Sequence, residues 1–392
     1  MSDLEFSQDE YLRKINADIG KQIAMELDKR KEEQEYEPES EYIATLPPVH
    51  KKKSKFKIIA ILLSIVCVLG VVVIGVGNHM LNRINYESDS DVTKLPSDKA
   101  NVNTEDDDQT PVVKSDKQVI NILLIGEESM KDDRGRSDSM MVATINRKQK
   151  TLKLTSFMRD IYVTIPGYLD NKLNAAFHNG GGPLLADTIE QNFGISIDGY
   201  VRVDFDGFEN VIDQLGGVEL TLSESEAQYL NTTNYISDPA QRNVVVGKQT
   251  LTGNQALGYS RVRYRKTSDG QKDDFGRTSR QRTVLTAIFN KYKSKNLVEL
   301  IGIANDVLPL VTTNMKKSEI LDYLTAAVTL NPSELETFRI PIDGSYAPKD
   351  VQIGSSIRDV LEIDKTANMQ ALQQFIYEEG NSSVPSQTPI QE

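Results

Sequence analysis

The sequence predicts an α/β domain carried on the far side of a membrane by one N-terminal span. Three observations carry that expectation. Short apolar runs alternate with amphipathic helical segments from Gln118 to Tyr377, the pattern of layered α/β domains. A chargeless run, Ile58–Val76 (IIAILLSIVCVLGVVVIGV), follows a lysine cluster. Between the two lies an acidic, polar stretch too poor in apolar residues to build a core.

The span is justified by its length and its flank. At the helical rise it covers roughly 28 Å, close to a hydrocarbon core. A signal peptide would be shorter, would begin the chain and would end in an A-x-A-like site, and none of these fits. Lys51, Lys52, Lys53, Lys55 and Lys57 precede the run, so the positive-inside rule leaves the N-terminus in the cytoplasm. The expected division is a cytoplasmic tail over 1–57, a transmembrane helix over 58–77, an extracellular linker over 78–117, a catalytic domain over 118–377 and a flexible C-terminal tail over 378–392. In the first tail, Leu12, Ile15, Ile19 and Ile23 make a helical stripe too thin for a core.

Within the domain, Val119–Ile125, Ser139–Ile145 and Leu152–Phe157 read as buried strands, with Asn146–Lys150 a polar turn. Ile161–Ile165 reads as a further strand before the Pro166-Gly167 turn, and Gly180-Gly181-Gly182 as a flexible loop. Pro183–Phe193 is expected to be helical, with proline in its first turn. Gly199–Phe205 reads as a strand, Asp206–Leu215 as a helix and Val218–Leu222 as a strand. Ser223–Val246 shows little apolar pattern and reads as a lid or side excursion. Thr252–Tyr259 is a helix with Thr252 at its N-cap. Ser260–Arg265 reads as a strand that would set Arg261, Arg263 and Arg265 on one face. Gly276–Lys293 is a helix, more helix follows in Asn296–Leu330, Leu335–Ile342 is strand-like, and Met369–Tyr377 closes the domain as a helix.

Composition excludes several chemistries. A net charge of −12, with no DNA-binding motif, argues against a nucleic-acid partner. The single cysteine, Cys67, lies in the apolar span, so there is no disulfide framework or Cys metal site. Three scattered histidines rule out HExxH zinc chemistry. What remains is a set of arginines in an acidic chain: Arg136, Arg159, Arg261, Arg263, Arg265 and Arg277. Their forks match phosphate oxygens. Carboxylates share the first stretch with them, and Mg²⁺ is commonly held by one or two carboxylates plus substrate phosphate oxygens. A pyrophosphate site with a divalent cation explains both sets; ordinary surface ion pairs are the alternative.

The order of motifs resembles the LytR–CpsA–Psr family of Gram-positive cell-wall proteins. The likeness is carried by NILLIG (Asn121–Gly126), GRSDSMM (Gly135–Met141), SFMRD (Ser156–Asp160), KLNAAF (Lys172–Phe177), VDFDGF (Val203–Phe208), LTGNQALGYSRVR (Leu251–Arg263) and DFGRTSRQR (Asp274–Arg282). It implies an αβα sandwich around a mixed central sheet, enclosing the tail of a polyprenyl pyrophosphate. It also implies a membrane-anchored extracellular phosphotransferase that moves a glycopolymer phosphate, such as teichoic acid or capsule, from that lipid onto peptidoglycan. By the same resemblance Asp138 and Glu128 would bind Mg²⁺ (or Mn²⁺), and Glu128, Asp138 and Arg159 would be catalytic. Arg136, Arg159, Arg261, Arg263, Arg277 and Gln281 would hold the pyrophosphate. Where the family has an aspartate after its LLIG glycine, this chain has Glu127-Glu128, so Glu127, Glu128, Asp132 and Asp133 all stand as candidates for the second acidic group. Phe177, Phe193, Phe205, Phe208 and Leu257 either line a lipid tunnel or fill the core. A lipid-pyrophosphate hydrolase and a polyprenyl-phosphate-binding regulator are the alternative functions.

Overall fold

The chain builds outward from β2 (Val119–Glu127), whose apolar residues point alternately to the two faces of a sheet. Ile120, Ile122 and Leu124 join one core; Val119, Leu123 and Ile125 join the other. The computed structural model describes residues 81–88, 112–128, 135, 137–295, 299, 302–303, 306–330 and 332–378. The expected cytoplasmic tail, transmembrane helix and C-terminal tail lie essentially outside these residues, as do Asp132, Asp133 and Arg136. Among the described residues no helix is long and apolar enough to cross a membrane.

β2 pairs antiparallel with β3 (Ser137–Asn146), and β3 antiparallel with β4 (Thr151–Phe157), through the expected Asn146–Lys150 turn. β7 (Gly199–Asp204) adds parallel to β2, and β11 (Glu336–Ile340) parallel to β4. Two short strands finish the edge, β1 (Asn85–Tyr86) and β10 (Thr312–Thr313), giving the order β1-β10-β7-β2-β3-β4-β11 in one mixed sheet. The linker expected over 78–117 needs correcting at its start. Leu81 and Ile84 are buried in the core and β1 extends the sheet, so this apolar pair belongs to the domain.

One face is covered by α1 (Leu173–Phe193) and α7 (Lys365–Tyr377). The glycines expected to form a flexible loop are instead a buried kink inside α1: Gly180 and Gly181 leave helical geometry, and Gly181 has φ 65°. A Cβ on Gly182 would sit 2.7 Å from the Tyr200 ring, so glycine lets this helix press onto β7. Phe177, Phe193 and Tyr200 are fully buried there.

The other face carries α2 (Phe205–Gln214), α3 (Glu224–Thr232), α4 (Gly253–Arg261), α5 (Asp273–Tyr292) and α6 (Lys317–Leu330). Thr252 caps α4 as expected, in a reciprocal box with Gln255. The excursion predicted over Ser223–Val246 instead begins with α3, capped by Ser223 and Glu226 and joined to the core through Ala227 and Leu230. Its apolar residues are few because one buried contact is ionic: Arg280, fully buried, meets Glu226 at 2.8 Å. β5 (Tyr162–Val163) pairs with β6 (Asn171–Lys172), so the strand predicted over Ile161–Ile165 is only two residues long. Two further hairpins join β8 (Val218–Leu222) to β9 (Gly247–Leu251), and β12 (Tyr346–Ile353) to β13 (Ser356–Ile363).

Candidate pyrophosphate site

Antiparallel pairing brings the end of β4 beside the start of β3, because Phe157 pairs with Met140. Asp138 and Arg159 therefore meet at one edge of the sheet, where the Arg159 guanidinium donates to Asp138 Oδ1 at 2.7 Å. The N-terminal turns of α5 close over the same edge. Arg277, only 3% exposed, reaches Asp138 Oδ1 at 3.1 Å and Asp274 at 2.8 Å. Arg159 Nε stands 3.6 Å from Asp274 and Arg263 Nε 3.7 Å from it. Gln281, one turn along from Arg277, donates to the Asp138 carbonyl at 3.4 Å.

Burial pulls the Arg277 guanidinium below its ordinary value, partly offset by Asp274. Burial also pulls on Arg159, but Asp274, Asp160 and Asp138 outweigh it and leave this group raised. Both remain cations at any physiological pH. Arg159 Nε and Arg277 Nε are buried donors without a hydrogen bond. Such donors are costly to leave empty, and they sit where Arg159, Arg263 and Arg277 meet Asp138, Asp160 and Asp274. The arrangement suits an anion with several oxygens.

Beside this cluster opens a cavity of about 240 Å³. Asp138, Arg261, Arg263, Arg277 and Gln281 line its charged part, at the sheet edge. Leu124, Met141, Val211, Leu285, Phe205, Phe208 and Leu257 line the rest, further along the strands and helices. Of the five apolar candidates, Phe205, Phe208 and Leu257 thus border the space, whereas Phe177 and Phe193 fill the opposite core. Arg261 stacks over Phe205, 4.7 Å from the ring centroid, where the charged and apolar parts meet.

The strand predicted over Ser260–Arg265 is not formed. Arg261 ends α4, Val262 is its extended C-cap, and no strand continues through Arg265. The capped helix simply runs two residues beyond Tyr259. Arg261 and Arg263 still reach the cavity, but Arg265 turns away onto the Tyr229 ring at 4.2 Å. Glu127 is taken by Arg202 at 2.9 Å. Glu128 is half-exposed, 4.0 Å from Arg261, and is not part of the Asp138 cluster. Arg136, Asp132 and Asp133 lie outside the described residues. Sequence reasoning missed Asp274, although it lies in the DFGRTSRQR motif; its place one turn before Arg277 on a helix N-terminus was the available signal. Asp160 was also missed as a site residue; it holds Lys172 at 2.6 Å.

No group of three or more His, Cys, Asp or Glu that could hold a metal occurs among the described residues. Asp138 nevertheless suits a divalent cation that draws its other ligands from substrate. Its Oδ1 carries both arginines, and its Oδ2 makes no hydrogen bond among the described residues.

The LytR_cpsA_psr family profile matches residues 84–371, which include every described residue of the cluster. The chain belongs to the LytR_cpsA_psr family. It is 33% identical over 310 residues to the polyisoprenyl-teichoic acid–peptidoglycan teichoic acid transferase TagU of Enterococcus faecalis, covering 76% of this chain and 93% of that protein. It is 31% identical over 270 residues to the regulatory protein MsrR of Staphylococcus aureus, covering 68% of this chain and 77% of that one. The fold resembles the crystal structure of TagV from Bacillus subtilis, with a TM-score of 0.50 and 28% identity over 67% of this chain and 98% of that one. A structure of TagT bound to LI-WTA gives a TM-score of 0.51 at 25% identity, over 72% of this chain and 97% of that one. The mixed central sheet expected from the motifs is thus the family's sheet.

Proposed function

We propose that this LytR_cpsA_psr protein is a membrane-anchored extracellular phosphotransferase that moves a glycopolymer phosphate from a polyprenyl-pyrophosphate carrier onto peptidoglycan. One observation carries the reading: an apolar cavity opens directly beside a cluster of arginines that has donors to spare. A prenyl chain and a pyrophosphate need that pair of environments. The name and the extent of the TagU match support the same reaction class. The Ile58–Val76 span with its lysine flank supports anchoring and an extracellular domain, in a Gram-positive envelope.

In this scheme Arg159, Arg263 and Arg277 grip the pyrophosphate oxygens, with Arg261 at the entrance to the apolar part and Arg136 assigned to the same set from sequence. A peptidoglycan hydroxyl oxygen bonds to the phosphorus that carries the glycopolymer. The bond from that phosphorus to the bridging oxygen breaks, and polyprenyl phosphate leaves with the electron pair. Asp160, 3.5 Å from Arg159, takes the hydroxyl proton, the role the sequence reading gave to Glu128. Fixed guanidiniums stabilise the charge that develops, the dominant contribution in phosphoryl transfer. Mg²⁺ (or Mn²⁺) would be held by Asp138 with substrate oxygens, and would supply further charge neutralisation; Glu128, named as its second ligand from sequence, stands beside Arg261.

The test is to incubate the full chain in membranes with a polyprenyl-pyrophosphate-linked glycopolymer, Mg²⁺ and peptidoglycan oligomers, and to read products by mass spectrometry. A glycan joined to the oligomer through phosphate is expected. Free glycopolymer phosphate in its place would make the protein a lipid-pyrophosphate hydrolase. The MsrR match favours one other reading, a polyprenyl-phosphate-binding regulator; tight lipid binding without turnover would support it.

A further inference from the structure

A second cavity, of about 380 Å³, lies on the other side of Arg159. Its walls come from the Arg159–Asp160 segment, the start of α1 and the tip of the β12–β13 hairpin. Unlike the first cavity it is polar. Arg159 and Lys172, both paired with Asp160, line it beside Arg358, and Asn174 and Ser355 add an amide and a hydroxyl. Asn174 is 4% exposed, and its side-chain oxygen has no hydrogen-bond partner. An unpaired buried acceptor in a polar cavity is a seat for a ligand donor. The outer wall is not adrift: the Leu361 amide donates to the Asp160 carbonyl at 2.8 Å, tying the hairpin to the segment that carries Arg159.

We propose that this cavity seats the acceptor, an anionic, hydroxyl-rich sugar chain, with Arg358 on its carboxylate and Asn174 accepting from a sugar hydroxyl. The inference rests on the transferase reading. In-line phosphoryl transfer sets the attacking and leaving oxygens on opposite sides of phosphorus. The leaving lipid belongs to the apolar cavity, where Asp138 is a wall residue. The attacking hydroxyl must then arrive from the far side, and Arg159, bonded to Asp138, is a wall of the second cavity. Arg159 thus borders the second cavity and reaches the first only through its bond to Asp138.

The experiment titrates the full chain in nanodiscs by calorimetry with three separate ligands: a carboxylate-bearing peptidoglycan tetrasaccharide, a soluble poly(glycerol phosphate), and a polyprenyl pyrophosphate. Arg358 is exposed on a hairpin and its replacement leaves the core untouched. Arg358→Glu is expected to weaken tetrasaccharide binding about tenfold or more, as loss of a charge-assisted hydrogen bond does, while prenyl pyrophosphate binding stays unchanged. Arg358→Lys should restore most of the loss, and Asn174→Leu should also weaken the tetrasaccharide. Equal tetrasaccharide affinity in all variants, or no tetrasaccharide binding by the wild type, overturns the proposal. Binding of the phosphate polymer alone would assign the cavity to the donor's glycan and overturn it too. Loss of prenyl pyrophosphate binding in the wild type would instead sink the transferase reading itself.

Discussion

The two faces of the sheet use the same kinds of residue to opposite ends. Behind α1 and α7, Phe177, Phe193, Leu185 and Tyr200 close into a full core, helped by the glycine kink that brings α1 onto Tyr200. Behind α2, α4 and α5, Phe205, Phe208 and Leu257 border open space. The difference lies at the rim. On the closed face the glycine kink lets α1 reach the sheet, whereas the open face meets Asp138, Arg263 and Arg277, which cannot be pressed into an apolar core without a large desolvation cost. Charges at strand ends hold the helices apart, and the gap they leave is apolar.

The largest expected effect is on turnover. Arg159→Ala should lower transfer by about 10²–10³-fold, the usual cost of one preorganised donor, while the midpoint of thermal unfolding barely moves. Full activity in that variant would break the assignment of the open face to catalysis. Two arginines three residues apart on α5 sharpen it. Arg280, fully buried, binds Glu226 and three backbone carbonyls. Arg280→Met leaves that carboxylate buried and unpaired, and should cost about 3–5 kcal/mol in chemical denaturation. Arg277→Met should show the reverse pattern, a larger fall in kcat than in stability, because Asp138 keeps Arg159.

Much of this architecture was readable from the chain. β2, β3 and β4 follow from near-continuous apolar runs cut by charged residues, and α4 follows from Thr252 and Gln255 at capping distance. The arginine motifs pointed to Asp138, Arg159, Arg263 and Arg277 before any coordinates. What could not be read is pairing in space. Arg261, Arg263 and Arg265 look alike at alternate positions, yet Arg265 stacks on Tyr229 because α4 ends where a strand was expected. α3 escaped notice because its key buried residue is Glu226, whose partner lies 54 residues away. The β12–β13 hairpin has mostly exposed strands with little alternation, although Gly354-Ser355 between them, with Gly354 at φ 57°, is a two-residue turn signal.

A matched pair of core substitutions probes the space itself. Leu185→Phe on the closed face should cost about 1–3 kcal/mol, since a full core must shift to admit the larger ring. Leu257→Phe on the open face should leave stability within about 1 kcal/mol and raise the KM for long-chain donors more than for short ones. Equal stability losses would mean the open cavity is not available to a ligand.

The smallest effect is a pH dependence just before β7, away from the arginine cluster. Burial raises the Asp198 carboxyl above its ordinary 3.8, against the hydrogen bond from the Asn121 amide. A raised folded value means the folded state binds the proton more tightly, so this contribution is fully present below about pH 3.8 and is lost as pH rises through the raised value. The stability of the wild type relative to Asp198→Asn should therefore increase as pH falls across that window, read by denaturant titration at several pH values. A difference that stays flat would remove Asp198 from the account.

The proposed function sets a prenyl chain in the open face with its pyrophosphate at the arginines. The most direct measurement uses the full chain in nanodiscs with a photoreactive prenyl pyrophosphate, followed by peptide mapping of the cross-link. Adducts are expected on the residues around Phe205, Phe208, Val211 and Leu257, suppressed by excess unlabelled lipid pyrophosphate and weakened in Arg277→Met. Adducts confined to α1 and α7, or spread over the surface without competition, would contradict it.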